Sequence, residues 1–148
     1  MTHDDLVARA ARWLRGTQRC SVVITETESC TYEIPDAIGW RHMGYSILVE
    51  CKTFRSDFFR DVKYKNCHSP KMGMGQRRYF MTPPGLLGLD EIPQGWGLLE
   101  VHEKYVRVKR KAPPRSEEVM KFYSRRMEQM QIFSALRILQ KEMRDGEA

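Results

Sequence analysis

The chain has 148 residues, of which 41% are hydrophobic and 30% are charged, so it is long enough to build one domain with its own core. This composition excludes collagen-like and fully disordered chains, and no apolar run approaches the roughly 20 residues that span a bilayer. The formal net charge is +6, which favours an anionic partner.

The positive charge is concentrated in two segments. Residues 51–80 carry eight basic and two acidic side chains, and residues 104–126 carry nine basic and two acidic ones. Such clustering is typical of proteins that bind nucleic acid, because neutralised phosphates release counterions. Ordinary solvated faces are the alternative interpretation of either segment.

The N-terminal segment predicts a cytoplasmic protein without membrane association. Residues 1–16 have neither the apolar stretch nor the cleavage site of a signal peptide. The four cysteines are therefore expected to be reduced thiols. No CxxC pair occurs, and a zinc site built from Cys67, His68 and distant cysteines stays open as an alternative.

The predicted elements begin with a helix and a strand. Thr2 and Asp5 have the spacing of a capping box, and an apolar helical repeat follows until Gly16. Residues 20–28 are rich in β-branched side chains and predict the first strand.

A hairpin and a second helix are expected next. Residues 32–39 and 45–53 predict two further strands, and the short connection 40–44 ends in glycine, which favours an antiparallel pair. Ser56 is a suitable N-cap for a helix over about residues 57–65.

The second half predicts three strands and a long helix. Residues 66–77 form a basic loop with one proline and two glycines, and strands are expected at 78–82, 96–102 and 105–109. Residues 116–143 contain no glycine or proline and have apolar residues at helical spacing.

The element order α-β-β-β-α-β predicts an α/β fold in which helices flank a mixed sheet, with a long C-terminal helix appended. Because the proline pair at 113–114 marks a boundary, we expect a core over residues 1–112 and a helical extension over 113–148. The extension is expected to pack on the core or on a partner subunit. In the second case the protein is a homodimer through the C-terminal helix.

Charged side chains end the third predicted strand. Glu50 and Lys52 point to the same face because side chains alternate along a strand. Asp36 lies on the preceding strand, and the midpoint of residues 36 and 50 is residue 43, inside the predicted turn. Hairpin symmetry therefore places Asp36 beside Glu50 or diagonally adjacent to it.

Two adjacent carboxylates repel each other unless a cation lies between them. Oxygen ligands select Mg²⁺, Mn²⁺ or Ca²⁺ over zinc, and Lys52 beside the ion is suited to orient water or to stabilise charge on a phosphate. Asp36, Glu50 and Lys52 therefore predict a site for phosphodiester hydrolysis. An ion pair between Lys52 and either acid, with no catalytic role, is the alternative.

The same residues carry a resemblance. Ile34-Pro35-Asp36, followed after thirteen residues by Glu50-Cys51-Lys52, resembles the PD-(D/E)xK signature of the restriction-endonuclease-like nucleases. The resemblance covers roughly residues 3–110. The segments PDAIGW, ECKTFRSDFFRD, GMGQRRYFMTPPGL and IPQGWGLLEV are similar to small stand-alone proteins of phages and prophages.

The resemblance implies a restriction-endonuclease-like core and a role for each motif residue. Asp36 and Glu50 would be metal ligands, the backbone carbonyl of Cys51 would complete the coordination, and Lys52 would position or activate the attacking water. A further acid often contributes from the first helix or strand in this family, and Glu26 is the best candidate here.

The expected function is that of a Mg²⁺- or Mn²⁺-dependent deoxyribonuclease, an endonuclease that hydrolyses DNA by in-line attack of a metal-activated water. A non-catalytic nucleic-acid-binding protein, or a phage-type partner-binding protein, on the same fold is the alternative. Basic side chains near the motif and on the last strand are expected to contact DNA phosphates. They are Lys63, Lys65, Lys71, Arg77, Arg78, Lys109 and Arg110.

Overall fold

The computed structural model describes residues 1–29, 33–64, 73–121 and 123–147. Four helices and six strands occur in these residues. In chain order they are α1 (His3–Gly16), β1 (Val22–Thr25), β2 (Ala37–Trp40), β3 (Ser46–Cys51), α2 (Arg55–Tyr64), β4 (Arg77–Thr82), β5 (Trp96–Val101), β6 (Val106–Arg110), α3 (Glu117–Met120) and α4 (Tyr123–Glu147).

The six strands form one mixed sheet in which the spatial order is the chain order, β1 to β6. β2 is antiparallel to both of its neighbours, β1 and β3; β3, β4 and β5 run parallel, and β6 returns antiparallel to β5. The crossover between the parallel strands β3 and β4 contains α2, as parallel pairs require a long connection. The expected mixed sheet flanked by helices is confirmed, and so is the element order α-β-β-β-α-β.

Helix α1 covers one face of the sheet. Its capping box is present, because Thr2 Oγ1 accepts from the Asp5 amide and the Asp5 carboxylate accepts from the Thr2 amide. Leu6 and Leu14 are fully buried at the spacing of one helical face. They pack in a cluster that includes Val49 of β3, so α1 is held by burial of its apolar stripe.

Helices α2 and α4 cover the other face. Phe58 of α2 is fully buried, and its ring packs edge to face against Phe80 of β4 at 5.0 Å. Met127 of α4 belongs to the same cluster, together with Leu48 and Leu98. The sheet is therefore the middle of three layers.

The C-terminal segment is fastened to the sheet by a buried carboxylate. Glu128 of α4 is 3% exposed. It accepts hydrogen bonds from Ser46 Oγ at 2.6 Å, the Gly75 amide at 3.0 Å, Arg125 Nη1 at 3.1 Å and Trp40 Nε1 at 3.3 Å. Because these donors belong to different parts of the chain, Glu128 fixes α4 against β2, β3 and the approach to β4.

Arg115 holds the same region from the segment before α3. Its guanidinium donates to the carbonyls of Gly73 and Gly75, and burial lowers its pKa to about 10. Gly75 has a φ of +89°, and a Cβ there would meet Leu48 Cβ at 2.6 Å. This turn therefore requires glycine.

Some predicted boundaries differ from the observed ones. β1 ends at Thr25 instead of residue 28, because Glu26 has a φ of +43°, which interrupts extended pairing. The single predicted helix over 116–143 is two helices, α3 and α4, with Lys121 in a turn between them. Most of the predicted basic loop, residues 66–72, lies outside the described residues.

The predicted boundary at residues 112 and 113 falls between β6 and α3. In the described part of the chain, no helix is both long enough and apolar enough to cross a membrane.

Candidate active site

The hairpin of β2 and β3 has the register that its symmetry predicts. Ala37 lies opposite Val49 and Ile38 lies opposite Leu48. Continuing this register by one residue pairs Asp36 with Glu50. The predicted antiparallel hairpin centred on residue 43 is therefore confirmed, and its last pair, Ala37 and Val49, leaves Asp36 and Glu50 as the next residue of each strand.

Alternation along β3 separates apolar and charged side chains as predicted. Ile47 and Val49 belong to the cluster under α1, and Leu48 belongs to the cluster on the opposite face. Glu50 and Lys52 are only 7% and 8% exposed. Charged groups at this depth are costly without partners, so their environment decides what they can do.

Lys52 is held between two carboxylates. Its Nζ lies 3.9 Å from Glu50 Oε2 and hydrogen-bonds Asp61 Oδ2 on α2. Asp61 is not among the site residues predicted from the sequence. Its position three residues after the buried Phe58 was an available signal, because residues at this spacing share a helical face.

Asp36 belongs to a second group of ligand atoms. Its Oδ2 accepts from the Cys51 amide at 2.6 Å, and its Oδ1 lies 3.4 Å from His3 Nε2. The same His3 nitrogen lies 3.0 Å from Glu26 Oε1. The Glu26 amide donates hydrogen bonds to the carbonyls of Pro35 and Asp36, both at 3.2 Å. These backbone contacts hold Glu26 beside Asp36.

His3 is likewise not among the residues predicted from the sequence. Thr2 caps α1, which places His3 at the first helical position, and the helix packs with this end near the start of β2. The capping box predicted where α1 begins. The contact with Asp36 is long-range, and no local pattern indicates it.

Among the described residues, His3, Glu26 and Asp36 form a group that could hold a divalent cation, because their ligand atoms lie within 4.8 Å of one another. One imidazole nitrogen beside carboxylate oxygens suits a borderline ion such as Mn²⁺ better than Mg²⁺, which prefers oxygen ligands. Glu50 lies outside this group and faces Lys52 instead, although both carboxylates were expected to be ligands.

The Cys51 thiol differs chemically from the carboxylates around it. Burial raises its pKa well above the ordinary range, and the negative charges of Asp36 and Glu50 raise it further. The thiol therefore stays protonated at neutral pH and is not a nucleophile there. The Cys51 thiol is buried in the cluster under α1, and its backbone amide donates to Asp36 Oδ2.

Two basic residues expected to contact DNA are occupied within the protein. Arg78 is 4% exposed, and its guanidinium lies over the Trp96 ring at 4.8 Å. Arg110 donates to the carbonyls of Trp96, Leu89, Ile92 and Pro93. Both guanidinium groups thus fix the segment before β5.

The other five basic residues have different placements. Arg77 is partly buried and donates to Tyr45 Oη at 2.7 Å and to the Ala112 carbonyl. Lys63 and Lys109 are exposed, and Lys109 Nζ lies 3.7 Å from Glu100. Lys65 and Lys71 lie outside the described residues.

Comparison with known proteins shows the fold alone. No family model and no curated protein matches the chain. A solved structure, the SPO1766 protein of unknown function from Silicibacter pomeroyi, is 24% identical to it with a TM-score of 0.68. The similarity covers 100% of this chain and 95% of that one.

Proposed function

We propose that this protein is a metal-dependent nuclease that hydrolyses DNA phosphodiester bonds, and that its sheet and flanking helices are a restriction-endonuclease-like core. One observation carries the proposal. The end of the β2–β3 hairpin gathers Asp36, Glu50 and Lys52, and Asp36 shares a compact set of ligand atoms with His3 and Glu26. Together these residues offer metal ligands and a nearby cation.

Asp36, Glu26 and His3 would hold the metal, with Glu50 as the neighbouring acid of the motif. The donor set fits a hard or borderline divalent ion, because it joins carboxylate oxygens to a single imidazole nitrogen. Such an ion supplies Lewis acidity and lowers the pKa of a coordinated water.

The chain's own groups have separate tasks in the proposed reaction. Lys52, whose charge is fixed between Glu50 and Asp61, stabilises the negative charge that develops on the phosphate during in-line attack by water. The amide of Cys51 holds the Asp36 carboxylate in place at 2.6 Å. Because the lysine is already oriented, it needs little rearrangement during the reaction.

A second candidate is a nucleic-acid-binding protein without catalysis on the same fold. The hydrogen bond between Lys52 and Asp61 favours it, since a buried ion pair gives Lys52 a structural role. The two candidates differ in one property: a binding protein has no use for a divalent ion beside Asp36.

Calorimetric titration with Mn²⁺ separates the candidates. Asp36→Asn keeps an oxygen that accepts from the Cys51 amide but removes the negative charge. Loss of a direct ligand should exceed the roughly 10–100-fold weakening that outer-shell changes cause. Asp90→Asn, at an exposed acid on the turn Leu89–Glu91, is the matched control and should bind Mn²⁺ as the wild type does. Equal Mn²⁺ affinity in Asp36→Asn and the wild type would contradict the proposal.

A further inference from the structure

An open groove lies next to the segment that follows β1. It lies between α4 and the residues that follow β1, with Glu28 and Ser29 on one wall and the helix from Gln129 to Arg144 on the other. Gln131 Nε2 donates to the Thr27 carbonyl at 2.5 Å, which fastens the helix one residue after Glu26. Glu28, on the wall of the groove, therefore lies two residues along the chain from Glu26, a proposed metal ligand.

Three cations follow the helical wall of this groove. Arg137, Lys141 and Arg144 are spaced four and three residues apart, so they lie on one face of α4 at intervals of about 6 and 4.5 Å along its axis. All three are exposed, and no ion pair joins them to any other described residue. The acids of the same segment, Glu142 and Asp145, do not line the groove.

An exposed aromatic ring accompanies the cations. Phe133 lines the groove, is 63% exposed and precedes Arg137 by one helical turn. A ring among basic side chains is the arrangement by which proteins hold single strands, because bases stack on the ring while cations contact the phosphates. Glu28 is the single acid among the residues that line the groove, against three cations.

We propose that this groove binds one strand of single-stranded nucleic acid and leads it to Glu26 and Asp36. Arg137, Lys141 and Arg144 contact phosphates, and Phe133 stacks on an unpaired base. A duplex is excluded from the stacking contact because its bases are already stacked on each other. The inference rests on the proposed nuclease function and names its substrate class.

Fluorescence anisotropy of a labelled 20-nucleotide oligothymidine, measured with EDTA over a range of salt concentrations, tests the groove without cleavage. The groove variant is R137Q/K141Q/R144Q. The control, R12Q/R15Q/K104Q, removes the same charge from exposed positions outside the groove. A 20-base-pair duplex is measured in parallel, and light scattering gives the particle size of every variant.

The groove variant should bind oligothymidine about 10–100-fold more weakly, and its slope of log affinity against log salt should fall by roughly 2, since each single-strand phosphate contact contributes about 0.7. The control should change affinity by less than about threefold. Phe133→Ala should weaken binding on the order of 5–100-fold without changing the slope, and Phe133→Trp should retain it.

Three results would overturn the inference. The first is an equal loss of oligothymidine affinity in the groove variant and the control, and the second is a wild-type affinity no higher for oligothymidine than for the duplex. The third is a change of particle size in Phe133→Ala with unchanged affinity for oligothymidine. The last result would mark the face as an interface between copies. Failure of the proposed function is distinguishable. If the protein binds the strand through the groove but does not cleave it in Mn²⁺, the groove inference stands and the proposed nuclease function is refuted. If the protein cleaves duplex DNA at a rate that the groove variant does not change, the nuclease function stands and the groove inference is refuted.

Discussion

Replacing Lys52 separates the chemical role of this residue from its structural role. Lys52→Met keeps most of the side-chain volume and removes the cation between Glu50 and Asp61. The side chains of these two acids are only 9% and 14% exposed, so both would lose their buried counter-charge. Breaking a buried pair in this way costs about 3–5 kcal/mol, a large part of the 5–15 kcal/mol that holds a typical domain together.

The catalytic effect of Lys52→Met should appear in the rate and hardly in affinity. Only an interaction that is stronger in the transition state accelerates a reaction, and one preorganised electrostatic group contributes about 10²–10³-fold. Single-turnover cleavage at saturating protein should therefore slow by that factor, while DNA binding measured in EDTA stays near the wild-type value.

A second substitution provides the control for instability. Lys52→Met/Asp61→Asn removes both charges of the closest pair, so it should recover much of the stability that Lys52→Met loses. It should not recover the rate, because the cation is still absent. Urea unfolding and single-turnover kinetics on the same samples measure both quantities. An unchanged single-turnover rate in Lys52→Met would refute the catalytic role and favour a binding protein.

Three further predictions concern stability and assembly. Glu128→Ala should lower the free energy of unfolding by about 3–5 kcal/mol in urea titration, because several buried donors lose their acceptor, and a loss below about 1 kcal/mol would contradict this. The free energy of unfolding should fall as pH rises above 9.0, because the Cys51 thiol ionises there in the unfolded chain but, with its raised pKa, not in the folded one. The urea midpoint should therefore fall less between pH 8 and pH 10 in Cys51→Ala than in the wild type. Leu136 and Leu139 are about half exposed on α4, so we expect a dimer, whereas a 17.4 kDa particle in light scattering at high micromolar concentration would argue against it.

The sequence was most informative where geometry is local. The symmetry of the β2–β3 hairpin about residue 43 follows from its short connection, and so the register that brings Ala37 opposite Val49, one residue from Asp36 and Glu50, could be predicted. The alternation of apolar and charged residues in β3 likewise follows from strand geometry. In α1, the capping box determined the starting residue.

Residues joined by long-range packing were not predictable in this way. His3 meets Asp36 only because α1 lies across the sheet, and Asp61 meets Lys52 only because α2 packs on β4. Arg78 was expected to contact DNA phosphates at the surface. Its alternation with the buried Phe80 in β4 already places both side chains on the same covered face, where Arg78 lies over Trp96.

The proposed function depends on whether the folded protein breaks DNA when a divalent ion is present. The most direct measurement incubates the wild type and Asp36→Asn with plasmid, linear, single-stranded and four-way-junction DNA in Mg²⁺, Mn²⁺ or EDTA. We predict hydrolysis of at least one substrate by the wild type with metal, none in EDTA, and at least a roughly 100-fold slower reaction in Asp36→Asn. Absence of hydrolysis on every substrate by the folded wild type, or equal rates in Asp36→Asn, would contradict the account.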